Sequence, residues 1–441
     1  MLVRLRSLSE RLRGSLFLVP MTYVVGGLLL GLLAVQVDRN LVDTNADLPF
    51  GLTSTVDSAR AILETVGGAT ITFAGIAFSI SLLVIQLASS QYSPRVVHGL
   101  LRDPFTKQVM GIVVGTFTYC LVVLRSVRGP LEEGGDPVIP NISVALAVLL
   151  GVVAIMAIIA FIDHSAHSMD VSRILSRATA DATSAARRLW PEEPDAGSDP
   201  DRLPDPPAGA LVVTHADDGW VKYIDIPAVA RVAPPGGTVR LETEVGRYAI
   251  EGTPLCTVWP RPDDVDDATE RARDAVVSGR SRTVEQDVAY GVRQLADVAL
   301  RALSPGINDP TTAQDAVFHL GSVLHELLIR HPPRSVSPQD DDRTLERPER
   351  QGHLDVISLA FDEVRLAATG LPTVCIYLLE VLRLLLDSLP DGASSPAGDA
   401  IRRQAALIRA SVDHADLGAH DADRVRDAHD RRFGPPTEHL T

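Results

Sequence analysis

The sequence predicts an α-helical integral membrane protein with four transmembrane helices and a cytoplasmic α+β region, in which a small β module precedes a helical domain. Long apolar runs in the first third, a charge bias between loops, and strand-like then helical patterns in the remainder support this prediction. The predicted segments are a basic cytoplasmic N-terminus (1–14), a transmembrane domain (15–163), a juxtamembrane helix (164–190), a linker (191–209), the β module (210–260) and the helical domain (261–441).

Four apolar runs are long enough, at about 20 residues each, to cross the hydrocarbon core of a bilayer as helices. They cover 15–37, 65–87, 109–127 and 142–162, and none has an Asp, Glu or Lys in its interior. A signal peptide is the alternative for the first run, but this run is too long and lacks an A-x-A cleavage site. We therefore expect the lipid bilayer to surround this part of the chain.

The loops between the runs differ in charge, which predicts their orientation. Basic residues lie on one set of segments, before the first run, between the second and third runs, and after the fourth run. They are Arg4, Arg6, Arg11, Arg13, Arg95, Arg102, Lys107, Arg173 and Arg177. Acidic residues occupy the other set, namely Asp38, Asp43, Asp47, Asp57, Glu132, Glu133 and Asp136. Because positive loops stay inside, the sequence predicts a multi-pass protein of the bacterial inner membrane with both termini cytoplasmic.

Small and polar residues form a stripe along the second run, at helical steps of three, four or seven. The stripe consists of Gly68, Thr72, Gly75, Ser79, Gln86 and Ser90. The first run has Gly27 and Gly31, and the third has a GxxxG at Gly111 and Gly115. One interpretation is close helix packing. The other is that the stripe lines a conduit for an ion or small molecule in a homo-oligomer.

Two acidic residues and two histidines follow the fourth run, namely Asp163, His164, His167 and Asp170. Metal binding or proton sensing is one interpretation of this group, and a solvated juxtamembrane face is the other.

The β module begins with two strand-like segments, LVVTH (211–215) and WVKYIDI (220–226), which the DDG turn between them predicts to form a hairpin. A third segment, TVRLETEV (238–245), alternates apolar and polar residues. GRYAIEGTPL (246–255) resembles half of a lipoyl or biotinyl carrier motif, yet Lys222 lies within a predicted strand rather than at a hairpin tip. The polar stretch 331–352 is predicted to be a disordered loop.

The segment RALSPGINDPTTA (301–313) lies between two helical patterns. Pro305 and Gly306 stop the first helix, whereas Asp309 and Pro310 are an N-cap and a first helical residue. A plain helical-hairpin turn is one interpretation. The alternative is a ligand or anion site built from Asp297, Arg301, Asn308 and Asp309.

Charge and motif content disfavour two classes of function, nucleic-acid binding and enzymatic catalysis. The formal net charge is −15, and the first 163 residues carry equal numbers of acidic and basic residues, so the acidic charge lies in the rest of the chain. Nucleic-acid binding would need clustered basic charge, so no nucleic-acid partner is expected. The motifs GxGxxG and GxxxxGK[ST] and zinc-type Cys spacing are absent from the sequence, which predicts no cofactor and disfavours an enzyme.

DVAYGVRQLADVALRALSPGINDPTTA (287–313), SSQYSPR (89–95) and the DGWVKYIDI segment resemble a bacterial family of predicted membrane proteins, domain of unknown function 2254. The resemblance implies a multi-span inner-membrane protein with a cytoplasmic domain, and no reaction, ligand or partner. Two functions stay open at this point. The leading prediction is an oligomeric, channel- or transport-like assembly with a cytoplasmic regulatory domain, and the alternative is a membrane-tethered ligand-sensing or scaffold protein.

Overall fold

The computed structural model describes residues 18–43, 55–91, 103–127, 140–167, 170–193, 203–348, 352–390 and 394–434. The chain divides into two compact units, one within Leu8–Asp170 and the other within Val171–Thr441. We call them the N-terminal unit and the C-terminal unit.

The N-terminal unit contains four helices, α1 (Leu18–Asp43), α2 (Val56–Gln91), α3 (Pro104–Leu124) and α4 (Asn141–His167). Each is long and apolar enough to cross a membrane, which confirms the four predicted spans within the described residues. Helices α1 and α2 extend further than the apolar runs. Asp38, Asp43 and Asp57 are therefore helical residues rather than the loop residues that the charge pattern suggested.

Glycines bring α1 and α3 close together. A Cβ atom added to Gly111 would lie 2.5 Å from the Tyr23 ring, and one added to Gly115 would lie 2.9 Å from the Tyr23 carbonyl oxygen. Gly27 meets the backbone of Gly115 in the same way. The packing interpretation thus accounts for these three glycines, because no larger residue fits between the two backbones.

Asp38 links two helices of the N-terminal unit. Its side chain is buried, and its carboxylate accepts hydrogen bonds from the backbone N–H groups of Ile142 and Ser143, both at 2.9 Å. The Ser143 hydroxyl donates a third bond at 2.6 Å. A side chain of α1 therefore caps the N-terminus of α4, where a negative charge is favoured.

The C-terminal unit opens with α5 (Val171–Leu189) and contains two sheets. The five-stranded sheet has the order β1 (Leu211–Thr214), β5 (Pro254–Trp259), β3 (Thr238–Leu241), β8 (Thr344–Glu346) and β7 (Val336–Pro338). The three-stranded sheet has the order β4 (Tyr248–Ala249), β2 (Gly219–Ile224) and β6 (Val276–Gly279). Apolar side chains of both sheets share one buried cluster with α7 (Val265–Asp274).

The predicted hairpin of LVVTH and WVKYIDI is wrong. Strand β1 pairs with β5, whereas β2 pairs with β4 and β6. The segment between Gly246 and Trp259 supplies partners to both strands, so the DDG turn carries the chain from one sheet to the other instead of reversing it.

The stretch 331–352, predicted to be disordered, contains β7 and β8. Strand β8 runs parallel to β3, buries Leu345, and places Glu346 2.6 Å from the Arg240 guanidinium. A charged residue in this strand is tolerated because a distant arginine pairs with it. The sheets thus include strands from outside the predicted module at 210–260.

Helices make up the remainder of the C-terminal unit. They are α6 (Ile226–Ala230), α8 (Val288–Ala302), α9 (Pro310–Leu328), α10 (His353–Ala367), α11 (Pro372–Asp387), α12 (Pro396–Asp413) and α13 (Ala419–Phe433). The very apolar α11 buries residues such as Leu378 and Leu382 and is a core helix of this unit. It is not among the four candidate spans of the described chain.

Candidate functional site

The stripe on α2 lies on the outside of the N-terminal unit. Gly68, Thr72, Gly75, Ser79 and Gln86 are exposed, and the Ser90 side chain lies outside the described residues. The hydroxyls of Thr72 and Ser79 donate to carbonyls of their own helix, at 2.8 and 2.9 Å. The buried hydrophobic clusters of this unit contain none of the stripe residues. Within the described part of a single chain, the stripe therefore borders no internal passage.

The structure describes the side chains of Asp163, His164 and Asp170 in the group after the fourth run. His164 Nε2 lies 2.8 Å from Asp103 Oδ2, and its ring centroid lies 4.8 Å from that of Phe105. Asp163 and Asp170 are exposed, and the His167 side chain lies outside the described residues. In the part of the chain that the structure describes, no three His, Cys, Asp or Glu residues could hold a metal ion.

The SPGINDP segment forms a closed turn between α8 and α9. Asn308 donates its backbone N–H to the Ser304 carbonyl at 2.9 Å and has φ of 48°, a left-handed conformation that Asn tolerates. Asp309 accepts from the Thr312 backbone N–H at 3.1 Å and from its hydroxyl at 2.6 Å. These Thr312 bonds lower the pKa of Asp309. Sequence reasoning placed the cap and the turn correctly.

The anion-site hypothesis also includes Asp297, Arg301 and Asn308, which differ in burial. Asp297 is buried and accepts a 2.7 Å hydrogen bond from Arg293, which also bridges to Glu363. Arg301 and Asn308 are exposed. An anion site at this turn stays a prediction.

A cavity of about 330 Å³ lies in the C-terminal unit. Its wall comes from five places in the chain, namely 189–190, 244–247, residue 282, 286–289 and residue 356. The sequence alone predicts no function for this set of residues. Several of these residues lie in segments quoted above, TVRLETEV, GRYAIEGTPL and DVAYG, but no pattern in those segments predicts a shared cavity.

An ion pair between half-buried Arg282 and buried Asp287 forms part of the cavity wall. Arg282 donates from Nε and Nη2 to the two carboxylate oxygens of Asp287, at 2.8 and 2.9 Å. The guanidinium carbon lies 5.0 Å from the Tyr290 ring centroid and 5.7 Å from that of Trp220. Burial raises the pKa of Asp287 even though Arg282 acts in the opposite direction. Asp287 also caps α8 by accepting from the Tyr290 N–H at 3.0 Å.

Gly246 allows the loop between β3 and β4 to touch this ion pair. Its φ is 90°, and a Cβ atom at this position would collide with the Asp287 carboxylate. Gln286 holds the opposite loop, because its amide exchanges two hydrogen bonds with the backbone of Ile224. Both loops around the cavity are thus fixed by tertiary contacts.

The end of α5 forms another part of the wall and is held by charges. Glu326 accepts hydrogen bonds from Arg187 at 2.9 Å and from Arg330 at 2.7 Å, which lower its pKa. Arg330 also donates to the Trp190 carbonyl at 3.2 Å, and the Trp190 ring contacts His353 at 5.4 Å between centroids.

The lining combines apolar side chains, two guanidiniums and two carboxylates, and contains no Ser, Thr, Cys, His, Lys or Tyr. Such a set suits reversible binding of a small molecule better than nucleophilic chemistry.

Comparison with known proteins agrees with the membrane character of the chain. Residues 13–384 match the family model described as a predicted membrane protein, DUF2254. Uncharacterized proteins of Mycobacterium bovis and Mycobacterium tuberculosis are 30% identical over 417 residues, which is 92% of this chain and 78% of each relative. No solved structure gives a significant match. The chain belongs to the DUF2254 family of predicted membrane proteins.

Proposed function

We propose that the protein is a membrane-tethered ligand-binding protein, in which the four spans anchor the chain and the C-terminal unit binds a small molecule. The observation that supports this proposal is the cavity of about 330 Å³, where two Arg–carboxylate pairs meet apolar side chains. A concave site of this size with a few fixed polar groups is typical of small-molecule binding.

Native mass spectrometry of the purified full chain tests this function. We expect a small molecule bound to the wild type and lost in Leu189→Trp, because a larger side chain at the half-buried Leu189 fills the cavity. The control is Leu366→Trp, at a 63% exposed position of α10 that does not line the cavity. Equal occupancy of all three proteins, or an empty wild type, contradicts the proposal.

The location that we propose is the bacterial inner membrane, with both termini and the C-terminal unit in the cytoplasm. The support is the arginine bias of the loops. A fluorescent reporter active only in the cytoplasm and fused after Thr441 should light up, and a phosphatase active only outside and inserted near Asp47 should work. The reverse pair of results contradicts this topology.

A second candidate function follows from the uncovered stripe on α2. Several copies that turn these stripes toward one another would create a path lined by Thr72, Ser79 and Gln86. Ion flux into liposomes containing the purified protein tests this candidate. The conduit predicts that Ser79→Leu and Gln86→Leu change flux while the fold is kept. An absence of flux in the wild type, or unchanged flux in both variants, contradicts it.

A further inference from the structure

We infer that the ligand of the cavity is a small amphoteric molecule, carrying a carboxylate, an amine and an apolar side group. The inference rests on the proposed function and names the chemical class of its ligand. It depends on three features of the cavity wall: one edge of an arginine and one oxygen of a glutamate, each called open because it has no hydrogen bond to a described residue, and the apolar residues of the same wall.

The open edge belongs to Arg282. Its Nε and Nη2 atoms are bonded to Asp287, whereas Nη1 makes no hydrogen bond to any described residue. The carboxylate of Asp287 and the rings of Tyr290 and Trp220 fix the plane of this guanidinium. Because a guanidinium held in place binds carboxylates through directed, charge-assisted bonds, the Nη1 edge is suited to the carboxylate of a ligand.

The open oxygen belongs to Glu244. Its Oε1 atom accepts from Arg247 at 2.8 Å, whereas Oε2 accepts no hydrogen bond from any described residue. The Glu244 side chain is only 16% exposed, whereas that of Arg247 is 64% exposed. An ionised carboxylate accepts several hydrogen bonds, so Oε2 is suited to the ammonium group of a ligand.

The charges of the lining balance. Arg247 and Arg282 oppose Glu244 and Asp287, so a ligand of one sign would leave an uncompensated charge in a partly enclosed space. A ligand that carries both signs adds no net charge. Leu189, Trp190 and Val356 lie in the same cavity and offer contacts to an apolar side group.

Thermal unfolding of the full chain in detergent, with chemically matched probes, tests this class. The amphoteric probes are L-leucine and L-phenylalanine. Their partners without the amine are 4-methylpentanoate and 3-phenylpropanoate, and their partners without the carboxylate are 3-methylbutylamine and 2-phenylethylamine. We expect at least one amino acid to raise Tm by about 2 °C or more, and its two partners to give no shift.

Two variants test whether the amino acid stabilises the protein by binding in the cavity. Glu244→Gln should abolish the stabilisation by the amino acid, whereas Glu285→Gln, at an exposed residue outside the lining, should keep it. The inference is overturned if a partner lacking one charge stabilises as well as the amino acid, or if neither amino acid stabilises. If native mass spectrometry still shows a bound molecule in either case, only the ligand class is wrong. An empty cavity in both assays overturns the proposed function as well.

Discussion

The stripe on α2 and the wall of the cavity both combine glycine with polar side chains, yet their surroundings are opposite. On α2 the hydroxyls bond to their own helix, and a Cβ atom at Gly68 or Gly75 would meet nothing within 4 Å. In the cavity wall, Asp287 is 4% exposed at its side chain and Gly246 lies against its carboxylate. Polar groups held by contacts with distant segments indicate a binding site more strongly than polar groups bonded only to their own helix.

The two regions should differ most in how much unfolding free energy is lost when a polar side chain is removed, a carboxylate in the cavity wall or a hydroxyl on α2. Asp287→Ala leaves Arg282 without its buried partner and α8 without its cap, which should cost about 3–5 kcal/mol of unfolding free energy. Ser79→Ala should change it by less than about 0.5 kcal/mol. Denaturant unfolding of the full chain in detergent measures both. Similar effects of the two substitutions would remove the contrast.

Glycine replacements give the next largest difference. Gly246→Ala should cost about 1–3 kcal/mol, because φ is positive and the new Cβ atom meets the Asp287 carboxylate. Gly75→Ala should be neutral or stabilise by up to about 1 kcal/mol, since alanine favours helices and has open space there. The same unfolding assay applies. A destabilising Gly75→Ala would show that another chain covers the stripe.

We expect the turn between α8 and α9 to contribute to stability and not to bind a ligand. Asp309→Ala should cost about 0.5–2 kcal/mol through the lost cap of α9. Arg301→Gln combined with Asn308→Gly changes two exposed side chains, and glycine readily adopts the left-handed backbone of Asn308, so this double variant should cost less than the single Asp309 variant. Stabilisation of the wild type by added phosphate, lost in the double variant, would instead support the anion site predicted there.

The smallest expected effect is a pH dependence at the same cap. The pKa of Asp309 is lowered by its bonds to Thr312, so its contribution to stability is present above the unfolded value of 3.8 and is lost as pH falls through the folded pKa. Asp309→Asn keeps an acceptor oxygen but does not titrate. Tm measured against pH should therefore fall more steeply in the wild type in acid. Parallel curves would contradict this role of the carboxylate.

Local features were predictable from the sequence. Apolar length gave the four spans, and Asp309 followed by Pro310 gave the start of α9. Pairings between distant segments were not predictable. The loop predicted as disordered holds a strand because Glu346 meets Arg240, and the cavity is assembled from segments that come together only in the fold.

Amide hydrogen exchange, compared between the protein with its bound small molecule and the protein stripped of it, tests the central claim most directly. The ligand-binding account predicts protection on binding at 244–247 and 286–289, which line the cavity, and no change at 68–86 on α2. Protection confined to α2, or none at either cavity segment, would contradict the claim that the C-terminal cavity is the functional site.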